Sequence, residues 1–192
     1  MFHAELFCRA PPNWGEPAPN PRISFVESKR ISSLRAVLFR QHILVMLPPD
    51  DLARQIDGLV HLDTQRAPNG LDLTVDRVYR TTGHGRLDFG GSEVQAAPRE
   101  PLTPVLDDPD DDYRWWTLEK GAYIIEYNES LTLGEGQQAR ILPLERTLLA
   151  GAHHGTFVLD DGHDPLETLL VVTRMGCRLK ENCRLSRLVV LA

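Results

Sequence analysis

A chain of 192 residues, 42% of them hydrophobic, can bury one proper core with or without an appendage. Its 27 acidic against 21 basic residues leave a net charge of −6, which implies no basic face and excludes a nucleic-acid polymer as the expected partner. No apolar run approaches the roughly 18 residues of a membrane-crossing helix, and the start, MFHAELFCRAPPNW, lacks the charged end and apolar centre of a secretion signal.

In chain order, residues 1–45 stand apart. Pro11, Pro12, Pro17, Pro19 and Pro21 break helix and sheet pairing alike. This stretch is expected to be a poorly ordered extension or a translated upstream segment, with Met46 the natural start of a body over residues 46–192; the competing expectation is an arm that docks on that body. LPPDDLARQIDGLV then carries a helix start: Pro48 and Pro49 lead in, Asp50 or Asp51 can cap, and Leu52, Ile56 and Leu59 share a face.

Beyond Gly70 the pattern is one of short strands. Leu71, Leu73 and Val75 alternate with Asp72, Thr74 and Asp76, a half-buried strand signature. Gly83, Gly85, Gly90 and Gly91 mark turns, and residues 95–112, rich in proline and ending in a run of aspartates, predict an exposed loop. Residues 123–127, 139–144, 169–173 and 185–191 are strand candidates, rich in branched and aromatic side chains. No long helical periodicity follows Leu59, so the expected fold is all-β with one short N-terminal helix.

Several chemistry-bearing residues have bland readings. Cys8, Cys177 and Cys183 are odd in number and lack a paired-ligand spacing, as free thiols in a reducing cytoplasm would be. His153 and His154, adjacent on a strand, point to opposite faces and do not share a metal. Trp115 and Trp116 pack against the body, and residues 107–112 are a solvated charge run. There is no phosphate-cradling glycine loop and no nucleophile elbow.

Four segments occur in an order that resembles the dUTPase and dCTP deaminase superfamily, above all its archaeal dUTPase-like branch: APNGLDLTVDRVY (67–79), WWTLEKGAYIIEYNESLTLGEG (115–136), PLERTLLAGAHHGTFVLDDGHDP (143–165) and NCRLSRLVVL (182–191), with the helix start near residue 46 before them. The resemblance implies a distorted β-barrel (β-clip), and a homotrimer with active sites shared between subunits. It also implies hydrolysis of dUTP to dUMP and pyrophosphate, with Mg2+ carried by the nucleotide phosphates. Burial of residues 188–190 against a neighbouring copy is expected to stabilise the trimer.

Residue by residue, the family's Arg-Ser-Ser donors fall on Leu144, Glu145 and Arg146. A leucine cannot donate and a glutamate repels triphosphate, so Arg146 and Thr147 are the expected substitutes. Asp160 stands where the resemblance implies the carboxylate that contacts the sugar 3′-hydroxyl and positions water; its bland reading is an aspartate before the Gly162 turn. His163 stands where an aromatic ring packs on deoxyribose. Gly151 and Thr156 match in place and serve a turn and a strand equally well. Arg187 replaces the usual glutamine: it can reach a phosphate but cannot accept a bond from a base. The sequence stops at Ala192, so no glycine-rich tail is expected to cover the phosphates. For deamination the family needs a glutamate after Thr-Leu; here Leu170 follows Thr168 and Leu169, and Glu167 faces the other side. The two functions in view are therefore a slow dUTP-type nucleotide hydrolase and a catalytically lapsed trimeric homologue that senses a nucleotide or binds a protein.

Overall fold

A computed structural model describes residues 45–192, and the expected extension up to residue 44 lies outside the described residues. Val45 exchanges two backbone hydrogen bonds with Ala192, both 3.0 Å. α1 (Pro49–Leu52) is a single turn continued by a 3-10 turn over Ala53–Gln55. It is shorter than expected, and neither aspartate caps it: Pro48 holds the cap position without a side-chain hydrogen bond. Strand pairing ends it, because Ile56 leaves the helical face to open β1 (Ile56–Asp57) and pairs with Leu131. α2 (Leu62–Gln65) follows, its free Thr64 N–H taken by the His61 ring at 3.2 Å.

β2 (Arg66–Ala67) turns into β3 (Gly70–Thr81), the 12-residue spine of the sheet. A Cβ on Gly70 would stand 2.1 Å from the Leu188 carbonyl oxygen, so only glycine lets the two backbones meet there. β4 (Arg99–Pro101) pairs with the end of β3 inside the segment expected to be loop, where Arg80 clasps Glu100 at 2.6 Å. Then come β5 (Trp115–Leu118), β6 (Gly121–Tyr127), β7 (Ser130–Leu131) and β8 (Gln138–Pro143). α3 (Glu145–Leu149), β9 (Ala152–His153), β10 (Phe157–Leu159), β11 (Glu167–Val172), β12 (Cys177–Lys180) and β13 (Arg184–Leu191) complete the chain. The described residues thus hold three short helices rather than one; α2 and α3 are too brief to leave a helical period in the sequence. None is long and apolar enough to cross a membrane.

The main sheet is antiparallel, in the order β10-β8-β13-β3-β6-β11-β9, with β2 and β4 added along β3. Its register shifts between Val75 and Arg77 and between Arg184 and Ser186. Such bulges bend a sheet, and this one curls until its two ends face each other. Leu71, Leu73, Ile125, Ile141, Leu170 and Leu188 fill the inside and are fully buried. Leu188, Val189 and Val190, expected to wait for a neighbouring copy, are already buried within the protomer, because β13 runs through the middle of the sheet.

Candidate functional site

Where the curled ends approach, two strand edges lack partners among the described residues. β10 pairs with β8 on one side only, and the first half of β11 pairs with β6 on one side only, since β9 reaches no further than Val171. Between them lies a cleft of about 370 Å³, walled by Ile124, Phe157, Leu169 and Val171 and floored by His154 and Thr168. Apolar walls with open backbone donors and acceptors at the rim suit a flat ring that carries polar edges.

The loop joining β10 to β11 leaves the cleft after Phe157 and re-enters it at Glu167, and between them it is anchored on Gln138 and Leu131. Asp160 is exposed, and its Oδ1 accepts from Gln138 Nε2 at 2.9 Å. The His163 backbone exchanges two 3.0 Å hydrogen bonds with Leu131, while its exposed ring donates from Nδ1 to the Asp161 carbonyl at 2.8 Å. Both side chains are therefore held by their surroundings yet open to a ligand. Thr156, on the cleft wall, is exposed as well.

The other expected residues lie at the far end of β8. Asp160 sits by Gln138 and α3 follows Pro143, a separation of roughly 17 Å at strand rise. There a second cavity of about 450 Å³ is lined by Asn69, Glu145, Arg146, Leu149 and Arg187. Arg146 is exposed and pairs with no carboxylate among the described residues. Thr147, expected as a substitute donor, is buried, and its hydroxyl donates to the Leu185 carbonyl at 2.6 Å. Gly151 is likewise structural: with φ +83° it ends α3, its N–H goes to Leu148 O, and its carbonyl accepts from Thr173 N–H.

Arg187 is engaged rather than free. Its Nε donates to Asp72 Oδ1 at 2.9 Å, Nη2 stands 2.9 Å from the same oxygen as an ion pair, and Nη1 donates to Asn69 Oδ1 at 3.2 Å. Arg184 adds a 3.3 Å contact to Asp72 Oδ2. Asp72, read from alternation as an outward strand residue, is 2% exposed. The same holds for Thr74: its N–H and hydroxyl donate to Glu129 at 2.9 and 2.6 Å, and Gln65 donates to that carboxylate at 2.6 Å. Glu129 is fully buried, and burial raises its carboxyl above the ordinary glutamate value. Asp72 and Glu129 are the site-bracing residues that strand periodicity hides; the signal for the first was its place in the NGLDLT motif.

The remaining candidates settle as the bland readings had them. Leu170 is buried while Glu167 turns outward and pairs with Arg99 at 2.6 Å. Trp116 is buried and donates to the Leu102 carbonyl at 2.8 Å. Burial raises both described thiols, Cys183 to about 11, so they stay protonated and are poor nucleophiles.

The chain is 34% identical to a probable deoxyuridine 5′-triphosphate nucleotidohydrolase of Methanosarcina acetivorans over 136 residues, which is 70% of this chain and 76% of the relative. It belongs to the dUTPase and dCTP deaminase superfamily. A second relative of the same description, from Archaeoglobus fulgidus, is 32% identical over 157 residues, 80% of this chain and 86% of its own. Among solved structures, the 2′-deoxycytidine 5′-triphosphate deaminase of Agrobacterium tumefaciens superposes with a TM-score of 0.56 at 18% identity, covering 76% of this chain and 48% of that one. That likeness carries the fold: the curled sheet is the superfamily's distorted barrel. No family model matches the sequence. The dUTPase-like chain so defined keeps the family's barrel, while Leu144, Glu145 and Arg146 stand where the family motif has Arg-Ser-Ser.

Proposed function

We propose that this chain binds a deoxynucleoside triphosphate of the dUTP type and hydrolyses it slowly to dUMP and pyrophosphate, as a homotrimer with shared sites. The observation that carries the reading is the cleft between β10 and β11, with Asp160 and His163 exposed on the loop that joins the two strands. In this reading the base enters the cleft, His163 covers the sugar, and Asp160 receives the 3′-hydroxyl and orients the attacking water. The phosphates lie against Arg146 and the two N–H groups that Arg187 has left over. Because Asp160 and Arg146 lie at opposite ends of β8, one site takes its loop from one copy and its phosphate end from the next. A head-to-tail contact of that kind closes into a ring. The exposed Leu148 and Leu149 of α3 (66% and 79%) and Val158 of β10 (46%) are the apolar surface available to it. Light scattering at micromolar concentration is expected to give three times the monomer mass, and a stable monomer would contradict the shared site.

Magnesium fits the donor set. It favours phosphate oxygens and retained waters over side-chain cages, and Asp160 is an exposed carboxylate able to hold such a water. When bound, the ion would neutralise the phosphates. Slow turnover follows from the phosphate end: Leu144 and Glu145 replace donors, and Thr147 has turned inward. Losing one such donor typically costs on the order of a hundredfold in rate.

Glu145→Ser removes a repelling charge and adds a hydroxyl, so it is expected to tighten dUTP binding by roughly three- to tenfold. Asp160→Asn in that background is expected to cut turnover by about a hundredfold or more at unchanged melting temperature. Thermal shift and pyrophosphate release read the two effects. If neither the natural chain nor Glu145→Ser binds dUTP, the lapsed-homologue reading replaces this one; the engagement of Arg187 by Asp72 is the observation in its favour.

A further inference from the structure

The floor of the cleft is a hydrogen-bond chain with one consistent direction. His154 is 5% exposed, and its Nδ1 lies 2.7 Å from the Gly155 carbonyl, which can only accept, so Nδ1 carries the proton. Nε2 of the neutral ring then accepts from Ser186 Oγ at 2.7 Å. Ser186 has spent its one proton, so the Tyr127 hydroxyl donates to it at 2.5 Å. Tyr127 has in turn spent its own, so Thr168 donates to Tyr127 at 2.8 Å. Four contacts consume four donors with none left over. Thr168 belongs to β11, one wall of the cleft, and His154 opens the 154–157 segment that runs from β9 to β10 and makes the other wall. Tyr127 and Ser186 bridge them through the barrel interior from β6 and β13.

We propose that this chain is a proton-gated brace: with His154 neutral it ties the two lips of the cleft at one spacing, and protonation of His154 releases them and weakens the hold on a nucleobase. The ligand half rests on the nucleotide reading above. A proton added to Nε2 makes a fifth donor for four contacts. If Ser186 turns toward Tyr127, the whole chain reverses and the Thr168 proton lacks an acceptor. If Ser186 stays, its own proton is orphaned. A buried donor without an acceptor is costly, so one link opens. The titratable groups around His154 are His153 beside it, Glu167 across the cleft, held by Arg99 at 2.6 Å, and Tyr127 behind Ser186. Burial pushes the Tyr127 hydroxyl up to about 12, so it stays protonated throughout. Burial, first, and the neighbouring His153 hold the His154 imidazole below its ordinary value. A depressed histidine stabilises the fold above the ordinary value of about 6.5, and that share is lost as pH falls through the lowered one.

Imidazole and side-chain NMR of the whole protein against pH tests the brace without any ligand. His154 is expected as the Nδ1–H tautomer at neutral pH, with Thr168 and Tyr127 resonances moving at the His154 midpoint. In Ser186→Ala, or in Tyr127→Phe should the first fold poorly, Thr168 is expected to stop following His154. An Nε2–H tautomer, or a Thr168 that is silent in the natural chain, overturns the brace. For the ligand half, dUMP affinity is expected to fall by up to about tenfold per pH unit below the midpoint, relative to His154→Gln, which shares the nucleotide's own phosphate titration. A ratio flat with pH overturns the gating and leaves the nucleotide reading standing. No dUMP binding at any pH, with the coupled titration intact, removes the nucleotide reading and keeps the brace.

Discussion

Arg187→Gln, which writes the family's own residue back into β13, is expected to destabilise the protein by about 3 kcal/mol and to lower its melting temperature by roughly 6–12 °C. The substitution looks conservative only in the family motif. In this chain Asp72 is 2% exposed, and Arg187 both donates to it from Nε at 2.9 Å and pairs with it through Nη2 at 2.9 Å. Without the guanidinium a buried carboxylate keeps only the 3.3 Å contact to Arg184, a contact too long to replace the fork. The loss therefore sits at the lower end of the roughly 3–5 kcal/mol that accompanies a broken buried pair. The double substitution Asp72→Asn with Arg187→Gln removes the stranded charge and is expected to recover most of the difference. Calorimetry of the four-member cycle measures the coupling directly; four melting temperatures within a degree of one another would mean that the pair does not hold the strands together.

Glu129→Leu is expected to cost about 2–4 kcal/mol, a fall of roughly 5–15 °C. Glu129 is the acceptor on which α2, β3 and the start of β7 converge. Its removal leaves the Thr74 N–H, the Thr74 hydroxyl and one Gln65 N–H facing hydrocarbon, each worth about 1–3 kcal/mol when unsatisfied and buried. Glu129→Gln keeps one oxygen toward the Thr74 N–H but sets its amide against the Gln65 amide, so a smaller loss is expected. Urea titration separates the cases: both should lower the midpoint at unchanged slope. A Glu129→Leu protein as stable as the parent would show that the three donors find water instead.

The strands were legible because most of them face a core on one side only. Residues 123–127, 139–144 and 185–191 lie within one or two residues of β6, β8 and β13, and Leu71, Leu73 and Val75 fill the core as their alternation requires. The polar half of that alternation misled, since Asp72 and Thr74 are covered by partners 55 to 115 residues away, and no local pattern reports a partner at that distance. The helix at Pro49 stopped early for the same reason, its Ile56 drawn off to Leu131. On the candidate site, Asp160 and His163 came from the spacing of one ungapped segment, and the structure leaves both exposed. The cleft was not legible, because it is made by two strand edges that lack partners among the described residues, and a missing partner has no residue to mark it. Gly151 matched the family by position and Thr147 was the expected substitute donor, but the backbone turns Thr147 inward and spends Gly151 on ending α3.

β13 comes last of the thirteen strands among the described residues and yet runs between β8 and β3 in the middle of the sheet. As the polypeptide leaves the ribosome, the other described strands are available before the one that joins the two halves. Until it arrives, β8 and β3 each present a bare edge, the kind of surface that recruits another chain's strand. A chain broken off before Arg184 would therefore be not a slightly shortened protein but a split sheet, ready for chaperones, proteases or aggregation.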